Sequence, residues 1–221
     1  MSESKEINLL AKYPKGSKNI SNRLERKTAH HIRISRLYDF DYFDGSRDYG
    51  YGGYKYDGRW KPVAKDMIDY WGLVSGMRVL DIGCAKGFLV KDLMAECPGL
   101  EVFGIDISKY ALLNAEHEVL GRLHHGNAID LPFPDESFDA VICINTLHNL
   151  NYEECITALK EIERVTVNSR AYVQVDSYRT EDEKKVFLDW VLTAKTYGYP
   201  KEWIQIFELA GYKGDYYWTY V

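Results

Sequence analysis

Short apolar segments alternate with segments of helical periodicity between residues 61 and 221 of this 221-residue chain. RVLDIG at 78–83 is a mostly apolar run, as in a strand that is buried on both faces. Amphipathic helical patterns precede and follow it, over 61–71 and 86–96. Strands that alternate with helices of this length form a parallel sheet covered on both faces. The sequence therefore predicts an α/β fold with a doubly wound, mainly parallel sheet.

The same alternation continues to the end of the sequence. Later helices are expected from the cap Ser108 to about Leu120, over 153–165 and over 201–210. Strands are expected over 101–108, 122–128, 137–145 and 170–178. The closing GYKGDYYWTYV predicts a sixth strand without a full seventh, so the sheet should have six or seven strands.

Four loops follow the carboxyl ends of the predicted strands, where ligands bind in sheets of this kind. These loops cover residues 83–88, 106–109, 126–131 and 145–150. We therefore expect a binding site at this edge of the sheet.

The first loop lies in VLDIGCAKGF, where a strand leads into a glycine-containing turn and then a helix. A dinucleotide-binding loop would have glycine at positions 83, 85 and 88, but this chain has Gly83, Ala85 and Phe88. Asp81, near the end of the strand, would repel a pyrophosphate and attract an ammonium group. The loop thus favours S-adenosylmethionine, which carries an ammonium and a sulfonium, over a nicotinamide dinucleotide.

The second and third loops agree with this interpretation. Asp106 ends the second predicted strand, 19 residues after Gly87, where an acid can accept both hydroxyls of a ribose. Ile107 offers an apolar face to adenine. In the third loop, the Asn127 amide can bond the adenine edge, with Ala128 and Ile129 beside the ring.

These segments carry a family resemblance. VLDIGCAKGF, GIDIS, GNAIDLPFPDESFDAV and ICINTLHNL resemble the successive motifs of class I S-adenosylmethionine-dependent methyltransferases, in order and at the right spacing. The similarity covers roughly residues 62–177. The most similar group includes quinone-biosynthesis C-methyltransferases and many small-molecule O- and N-methyltransferases.

The resemblance implies a Rossmann-like methyltransferase fold, S-adenosylmethionine as cofactor, and a set of residues that hold it. Two positions depart from the family pattern, because Ala85 replaces the second loop glycine and Asn127 replaces the usual acid. The implied cofactor residues are Asp81, Gly83, Cys84, Ala85 and Gly87 at the methionine end, Asp106 at the ribose, Ile107, Asn127, Ala128 and Ile129 at the adenine, and Asn145 at the inner edge.

Two residues beyond the fourth and fifth strands are candidate catalytic bases. His148 ionises near neutral pH and is favoured over Asp176, although His148 could instead cap the following helix. Cys143 lies inside a strand, which argues against covalent catalysis. The four cysteines and the histidines show no zinc-binding spacing, so no metal is expected. The Asn/Asp-Pro-Pro-aromatic motif of DNA and RNA N-methyltransferases is replaced by Asn-Thr-Leu-His at 145–148.

The stretch DYGYGGYKYDGRW at 48–60 combines glycines with large aromatic rings. It directly precedes the first helix of the predicted domain, where this fold commonly builds a substrate cap. We expect residues 1–60 to form a basic arm and a substrate lid, and residues 61–221 to form the cofactor-binding domain. The alternative is that the aromatic rings only pack against the sheet. The candidate lid residues are Tyr49, Tyr51, Tyr54, Arg59 and Trp60.

Charge is unevenly distributed along the chain, whose formal net charge is −5. Residues 12–36 sum to +7, and residues 37–221 sum to −11. The acidic body favours a small-molecule acceptor, methylated on oxygen or nitrogen, and makes nucleic acid an unlikely partner. Two alternatives stay open: an RNA methyltransferase that uses the basic arm, and a cofactor-binding protein without catalysis.

Cysteine usage and hydropathy predict where the protein resides. Four cysteines without a disulfide pattern indicate a reducing compartment. The sequence contains no 18-residue apolar stretch and no apolar leader, so a cytoplasmic protein with no membrane partner is expected. Monomer and homodimer are both open.

Overall fold

Six parallel strands form the centre of the computed structural model, which describes residues 4–14, residue 23 and residues 26–220. Their order across the sheet is β3-β2-β1-β4-β5-β6, and each neighbouring pair is parallel. This confirms the predicted doubly wound sheet and its sixth strand. The strands are β1 Arg78–Ile82, β2 Glu101–Asp106, β3 Leu123–His125, β4 Ala140–Ile144, β5 Ala171–Ser177 and β6 Asp215–Tyr220.

Helices cover both faces of this sheet, and three helices lie in the described residues before β1. Short 3₁₀ turns lie at His117–Val119, Leu147–Asn149 and Val167–Ser169. The α-helices of the described residues are α1 Ala29–Ser35, α2 Phe40–Phe43, α3 Lys61–Trp71, α4 Phe88–Glu96, α5 Lys109–Leu113, α6 Tyr152–Val165, α7 Glu181–Trp190 and α8 Pro200–Ala210.

Two of the predicted helices are shorter than the sequence suggests. α4 begins after Gly87, which has a φ of 76° and cannot continue a right-handed helix. The helix capped by Ser108 ends at Leu113, and the prediction that it reaches Leu120 is wrong. Its C-cap Asn114 leaves helical geometry, and a 3₁₀ turn follows at His117–Val119. Helices α1, α2 and α7 were not predicted.

The two faces of the sheet bury separate cores, as a doubly wound sheet requires. Leu80 and Val141 pack in the core that contains residues of α6 and α8. Val79 and Ile142, their neighbours along the same strands, pack with α3 and α4. Successive side chains of a strand point to opposite faces, so the near-continuous apolar runs are explained by burial on both sides.

The outer edge of β6 is covered by the beginning of the chain. The N–H of Ile7 donates to the Tyr216 carbonyl at 2.9 Å, and the N–H of Tyr216 donates to the Lys5 carbonyl at 3.1 Å. Leu9 is buried in the core formed with α3 and α4. These contacts bring N-terminal residues onto the predicted domain of residues 61–221. The division at residue 60 stays a prediction.

The basic arm of residues 12–36 lies partly outside the described residues, since 15–22 and 24–25 are not among them. Four of its described cations bond to residues outside the arm. Lys12 pairs with Asp66 at 2.6 Å, and Arg23 donates to the Gly50 carbonyl at 2.7 Å. Lys27 and Arg36 donate to carbonyls in the segment that follows α7.

The core that contains α6 and α8 allows a direct test of the packing of α8. Phe207 is buried and stacks on Trp218, with ring centroids 5.7 Å apart. Replacing Phe207 with alanine should lower the free energy of unfolding by about 3–5 kcal/mol, because it leaves a cavity in a close-packed core. Denaturant unfolding followed by circular dichroism measures this loss.

Leu209 on the same helix supplies the matched control. Its side chain is 59% exposed, so Leu209→Ala should change the free energy of unfolding by no more than about 0.5 kcal/mol. Equal losses for the two variants would contradict this account of the core.

Candidate functional site

Two aspartates lie at the carboxyl ends of the neighbouring strands β1 and β2. Asp81 is only 5% exposed, and burial together with the nearby Asp106 raises the pKa of its carboxyl to about 7. Burial also raises the pKa of Asp106, although backbone N–H groups of Ser108 and Ala85 favour its ionised form. An acid held in this way is suited to a cationic partner, which would favour the charged carboxylate.

The Asp106 carboxylate joins the loops that follow β1 and β2. One oxygen accepts the N–H of Ala85 at 2.8 Å, and the other accepts the N–H of Ser108 at 2.7 Å. An ionised carboxylate oxygen can accept two hydrogen bonds, so each of the two oxygens keeps one acceptor position. These two positions fit the adjacent hydroxyls of a ribose.

The first loop brings its backbone close to other elements. Gly83 has a φ of 79°, and a Cβ there would lie 1.8 Å from the Thr146 hydroxyl oxygen. A Cβ on Gly104 in β2 would lie 2.6 Å from the Cys84 sulfur. Ala85 takes a left-handed conformation with a φ of 50°, in which the family pattern has glycine. The alanine is therefore accommodated in the glycine conformation at some cost in backbone strain.

The predicted adenine residues lie at the same edge of the sheet. β3 pairs Asp106 with His125, and Asn127 follows two residues later. The Asn127 side-chain oxygen accepts the N–H of Ile129 at 3.3 Å. Ile107 is 54% exposed in a cleft of about 430 Å³, which Tyr38 and His125 also line. Ala128 is buried in the adjoining core.

Asn145 ends β4 beside these loops. It has a φ of 53°, and its N–H donates to the side-chain oxygen of Gln174 at 3.0 Å. Its side chain is exposed. A non-glycine residue in this conformation is uncommon and is often found at functional positions.

His148 and Asp176 face each other behind the ends of β4 and β5. The Nδ1 atom of His148 accepts the backbone N–H of Asp176 at 3.1 Å, and Nε2 lies 4.0 Å from the Asp176 carboxylate. Burial lowers the pKa of His148, against the attraction of Asp176. In a neutral ring the acceptor nitrogen is Nδ1, so Nε2 carries the proton and faces the carboxylate.

Residues 38–60, called the cap below, cover the first two loops. Tyr51 and Tyr54 pack in an aromatic cluster with Tyr42, and this cluster also contains Ala85 and Ala111. The Tyr54 hydroxyl donates to the Tyr42 hydroxyl at 2.9 Å. The cap aromatics therefore contact the glycine-containing loop that the sequence assigns to the cofactor.

Tyr51 also bonds the cap to the chain after α7. Its hydroxyl accepts the N–H of Leu192 at 2.6 Å, and its ring lies 4.7 Å from that of Trp190. This segment borders His148, whose carbonyl accepts the N–H of Thr196 at 3.1 Å. The cap thus connects the cofactor side of the sheet edge with the His148–Asp176 side.

The other predicted lid residues lie further from this cluster. The Tyr49 ring packs on His31, with centroids 5.2 Å apart. Trp60 packs on Tyr13 at 4.5 Å. The Arg59 guanidinium bonds the Asp57 carboxylate through two nitrogens. Arg59 would have to leave Asp57 to hold a ligand carboxylate.

Sequence reasoning missed a partly buried ion pair beside the first loop. Lys86 bonds Asp44, which is 42 residues away along the chain. A lysine within GCAKG, a turn built otherwise from small residues, was the one available signal. Asp44 gave none, because pairing over such a distance depends on the folded chain.

The described residues also bear on metal and membrane binding. Within residues 4–14, 23 and 26–220, no group of three or more His, Cys, Asp or Glu side chains is placed to hold a metal ion. No helix in this part of the chain is long and apolar enough to span a bilayer. All four cysteines are free thiols, and Cys143 is buried within β4.

Comparison with known proteins finds related sequences. Residues 80–169 match a family model described as a methyltransferase domain. The demethylmenaquinone methyltransferase of Geobacillus kaustophilus is 37% identical over 109 residues, 46% of each chain. The sterol 24-C-methyltransferase ERG6B of Gibberella zeae is 32% identical over 99 residues, 41% of this chain and 26% of its own. The chain thus spans less than half the length of these curated relatives.

Solved structures show the same fold at lower identity. A chain in the complex of the Haloferax volcanii Trm112 methyltransferase activator with a methyltransferase has a TM-score of 0.56 and 24% identity, covering 69% of this chain and 68% of its own. The [4+2]-cyclase SpnF has a TM-score of 0.54 and 21% identity, covering 71% and 60%. Over residues 80–169 the chain is therefore similar to a methyltransferase domain, and it shares the fold of these solved structures.

Proposed function

We propose that the protein transfers a methyl group from S-adenosylmethionine to a small-molecule acceptor. The observation that carries the proposal is the pair of carboxylates at the ends of β1 and β2, from the buried Asp81 and the half-buried Asp106. One is suited to an ammonium group and the other to two ribose hydroxyls. A pyrophosphate would be repelled by the Asp81 carboxylate, which argues against a dinucleotide in the same place.

The chain's own residues bind and orient the cofactor in this proposal. Bound S-adenosylmethionine supplies a methyl group that its sulfonium already activates. Asp81 attracts the ammonium group, and the loop backbone at Gly83 and Ala85 borders the methionine end. Asp106 orients the ribose, while Ile107 and the Asn127 loop contact the adenine.

Asp176 is the better candidate to accept the acceptor's proton. The neutral His148 ring uses Nδ1 to accept the Asp176 N–H, so neither nitrogen is free to take a proton. Its Nε2–H instead faces the Asp176 carboxylate, with 4.0 Å between Nε2 and the carboxylate oxygen. We propose that His148 positions Asp176, which removes a proton from an oxygen or nitrogen acceptor. This reverses the preference for His148 that the sequence suggested.

The names of two relatives support a second type of acceptor. Demethylmenaquinone methyltransferase and sterol 24-C-methyltransferase are named for small apolar molecules, and the latter for methylation on carbon. A carbon acceptor is therefore the alternative to oxygen or nitrogen. Screening phenols, amines and quinols with a labelled methyl donor distinguishes these acceptors.

The cap is proposed to be the lid of this site. Its tyrosines contact the Ala85 loop and the segment that borders His148. Closing such a cap would exclude water from the methyl group and complete the acceptor pocket.

An RNA acceptor is disfavoured because Arg23, Lys27 and Arg36 already donate to backbone carbonyls. A cofactor-binding protein without catalysis would give no labelled product with any acceptor.

Cofactor binding is tested by titration calorimetry with S-adenosylmethionine or its demethylated product. We expect micromolar affinity or better, about 8 kcal/mol of binding free energy. Asp106→Asn should weaken binding by about 1.5–3 kcal/mol, because charge-assisted hydrogen bonds to the ribose are lost. Asp182→Asn, on the exposed side of α7, is the control and should bind as the parent does. A parent protein that binds neither molecule would refute the proposed function.

Binding should also depend on pH through Asp81. Because its pKa is about 7 in the free protein, Asp81 is protonated below that pH and must release the proton to meet a cation. Affinity should therefore rise with pH up to about 7, by at most roughly tenfold per pH unit, and then level off. Calorimetry in buffers of different ionisation enthalpy counts the released proton. An Asp81→Asn variant with the same pH slope as the parent would contradict this role.

The role of Asp176 is tested with an acceptor found in the screen. Asp176→Asn should lower kcat by about 10²-fold or more, because an amide cannot accept the proton, while cofactor affinity stays unchanged. Asp182→Asn again serves as the control. A kcat equal to that of the parent would show that the acceptor needs no base at this position, as expected for a nucleophile that carries no acidic proton.

A further inference from the structure

Lys86 places a buried ammonium group inside the first loop. It lies between Ala85 and Gly87, and it is only 7% exposed. Its Nζ donates to both carboxylate oxygens of Asp44, at 2.8 and 2.7 Å. Asp44 directly follows α2, within the cap. The loop and the cap are therefore joined by a two-point ionic contact.

Asp44 is held in its charged form by this contact. Burial alone would raise the pKa of Asp44, but hydrogen bonds from Lys86 and from the Tyr110 hydroxyl outweigh it and lower the pKa below its usual range. The Tyr110 bond is 2.8 Å long, and Tyr110 lies in α5, just after the second loop. One carboxylate of the cap thus bonds both cofactor loops.

A second contact also joins the cap to the second loop, through Ser108. The Ser108 hydroxyl donates to the carbonyl of Tyr38 in the cap, and the Ser108 N–H donates to Asp106. Phe43 of the cap is buried against the cluster that contains Ala85 and Ala111. Movement of residues 38–44 would therefore disturb the same two loops that position Asp106.

Separating this ion pair costs free energy, so the contact links movement of the cap to movement of the loop. Removing Asp44 would leave the buried ammonium of Lys86 uncompensated, which is strongly unfavourable. If the cap opens at Asp44, Lys86 must move toward water and take the loop of residues 83–87 with it. Conversely, a ligand that holds this loop keeps Lys86 in place for Asp44 and reduces the cost of ordering the cap.

We propose that Asp44 and Lys86 are positioning residues that couple closure of the cap to cofactor binding, without themselves touching the cofactor. This inference rests on the proposed function, since it concerns the cofactor of that site. It predicts that cofactor affinity depends on a cap residue, and that cap order depends on the cofactor.

The experiment uses the full chain and the demethylated cofactor product, so no turnover occurs. Calorimetry compares the parent with Asp44→Asn, Lys86→Met and the double variant. Each single variant should bind about 5- to 20-fold more weakly, in the range of measured coupling between sites. The double variant should lose less than the product of the two single losses, because the partners act as one unit.

Limited proteolysis within residues 38–60 reports cap order independently of affinity. The ligand should slow cleavage in the parent and should have little effect in the two single variants. Lys86→Arg keeps the charge and should retain much of the protection. Asp66→Asn breaks the exposed Lys12–Asp66 pair, which is 2.6 Å long and lies outside the cofactor loops. This control should leave affinity and protection unchanged.

The outcomes separate this inference from the proposed function. A parent that does not bind the ligand defeats both. A parent that binds, with variants of equal affinity and equal ligand protection, defeats the coupling alone, even if the variants melt at lower temperature. If Asp44→Asn does not fold, Tyr110→Phe removes the tyrosine hydrogen bond to the Asp44 carboxylate and should weaken binding by about two- to fivefold. No change in that variant would also overturn the coupling.

Discussion

The carboxylate of Asp106 holds the loops after β1 and β2 against each other, and the remaining geometry of the site depends on it. Each oxygen accepts one backbone N–H, from Ala85 and from Ser108. Charge-assisted bonds of this kind are stronger than bonds between neutral groups. They fix the left-handed turn at Ala85, the start of α5 and the carboxylate itself. A ribose would thus meet a carboxylate whose orientation is already set before binding.

The basic arm shows how a charge pattern can have a structural explanation. Its excess of lysine and arginine was compatible with RNA binding, yet three of its described cations donate to carbonyl oxygens of the chain. Carbonyls that end a helix or border a loop lack partners within their own element, and cations satisfy them well. The arm therefore attaches the N-terminal segment to the cap and to the residues after α7.

Local patterns predicted what local physics determines. The sequence could predict that the strands are buried on both faces and that acids lie at strand ends, because each feature depends on a few adjacent residues. The break after Leu113 was missed, since the apolar pattern continues through Leu120 although the backbone turns at Asn114. The Asp44–Lys86 pair and the occupied Nδ1 of His148 could not be predicted, because they join residues that only the folded chain brings together.

The pairing of residues 5–7 with β6 has a consequence for synthesis of the chain. Lys5 and Asp215 bond across 210 residues, so this edge cannot form until the last described strand has left the ribosome. At about 5–20 residues per second, that takes roughly 10–40 s. During this time the backbone groups of Lys5 and Ile7 lack the Tyr216 partners that they have in the finished sheet. A nascent chain is then open to chaperones or to other chains at this end.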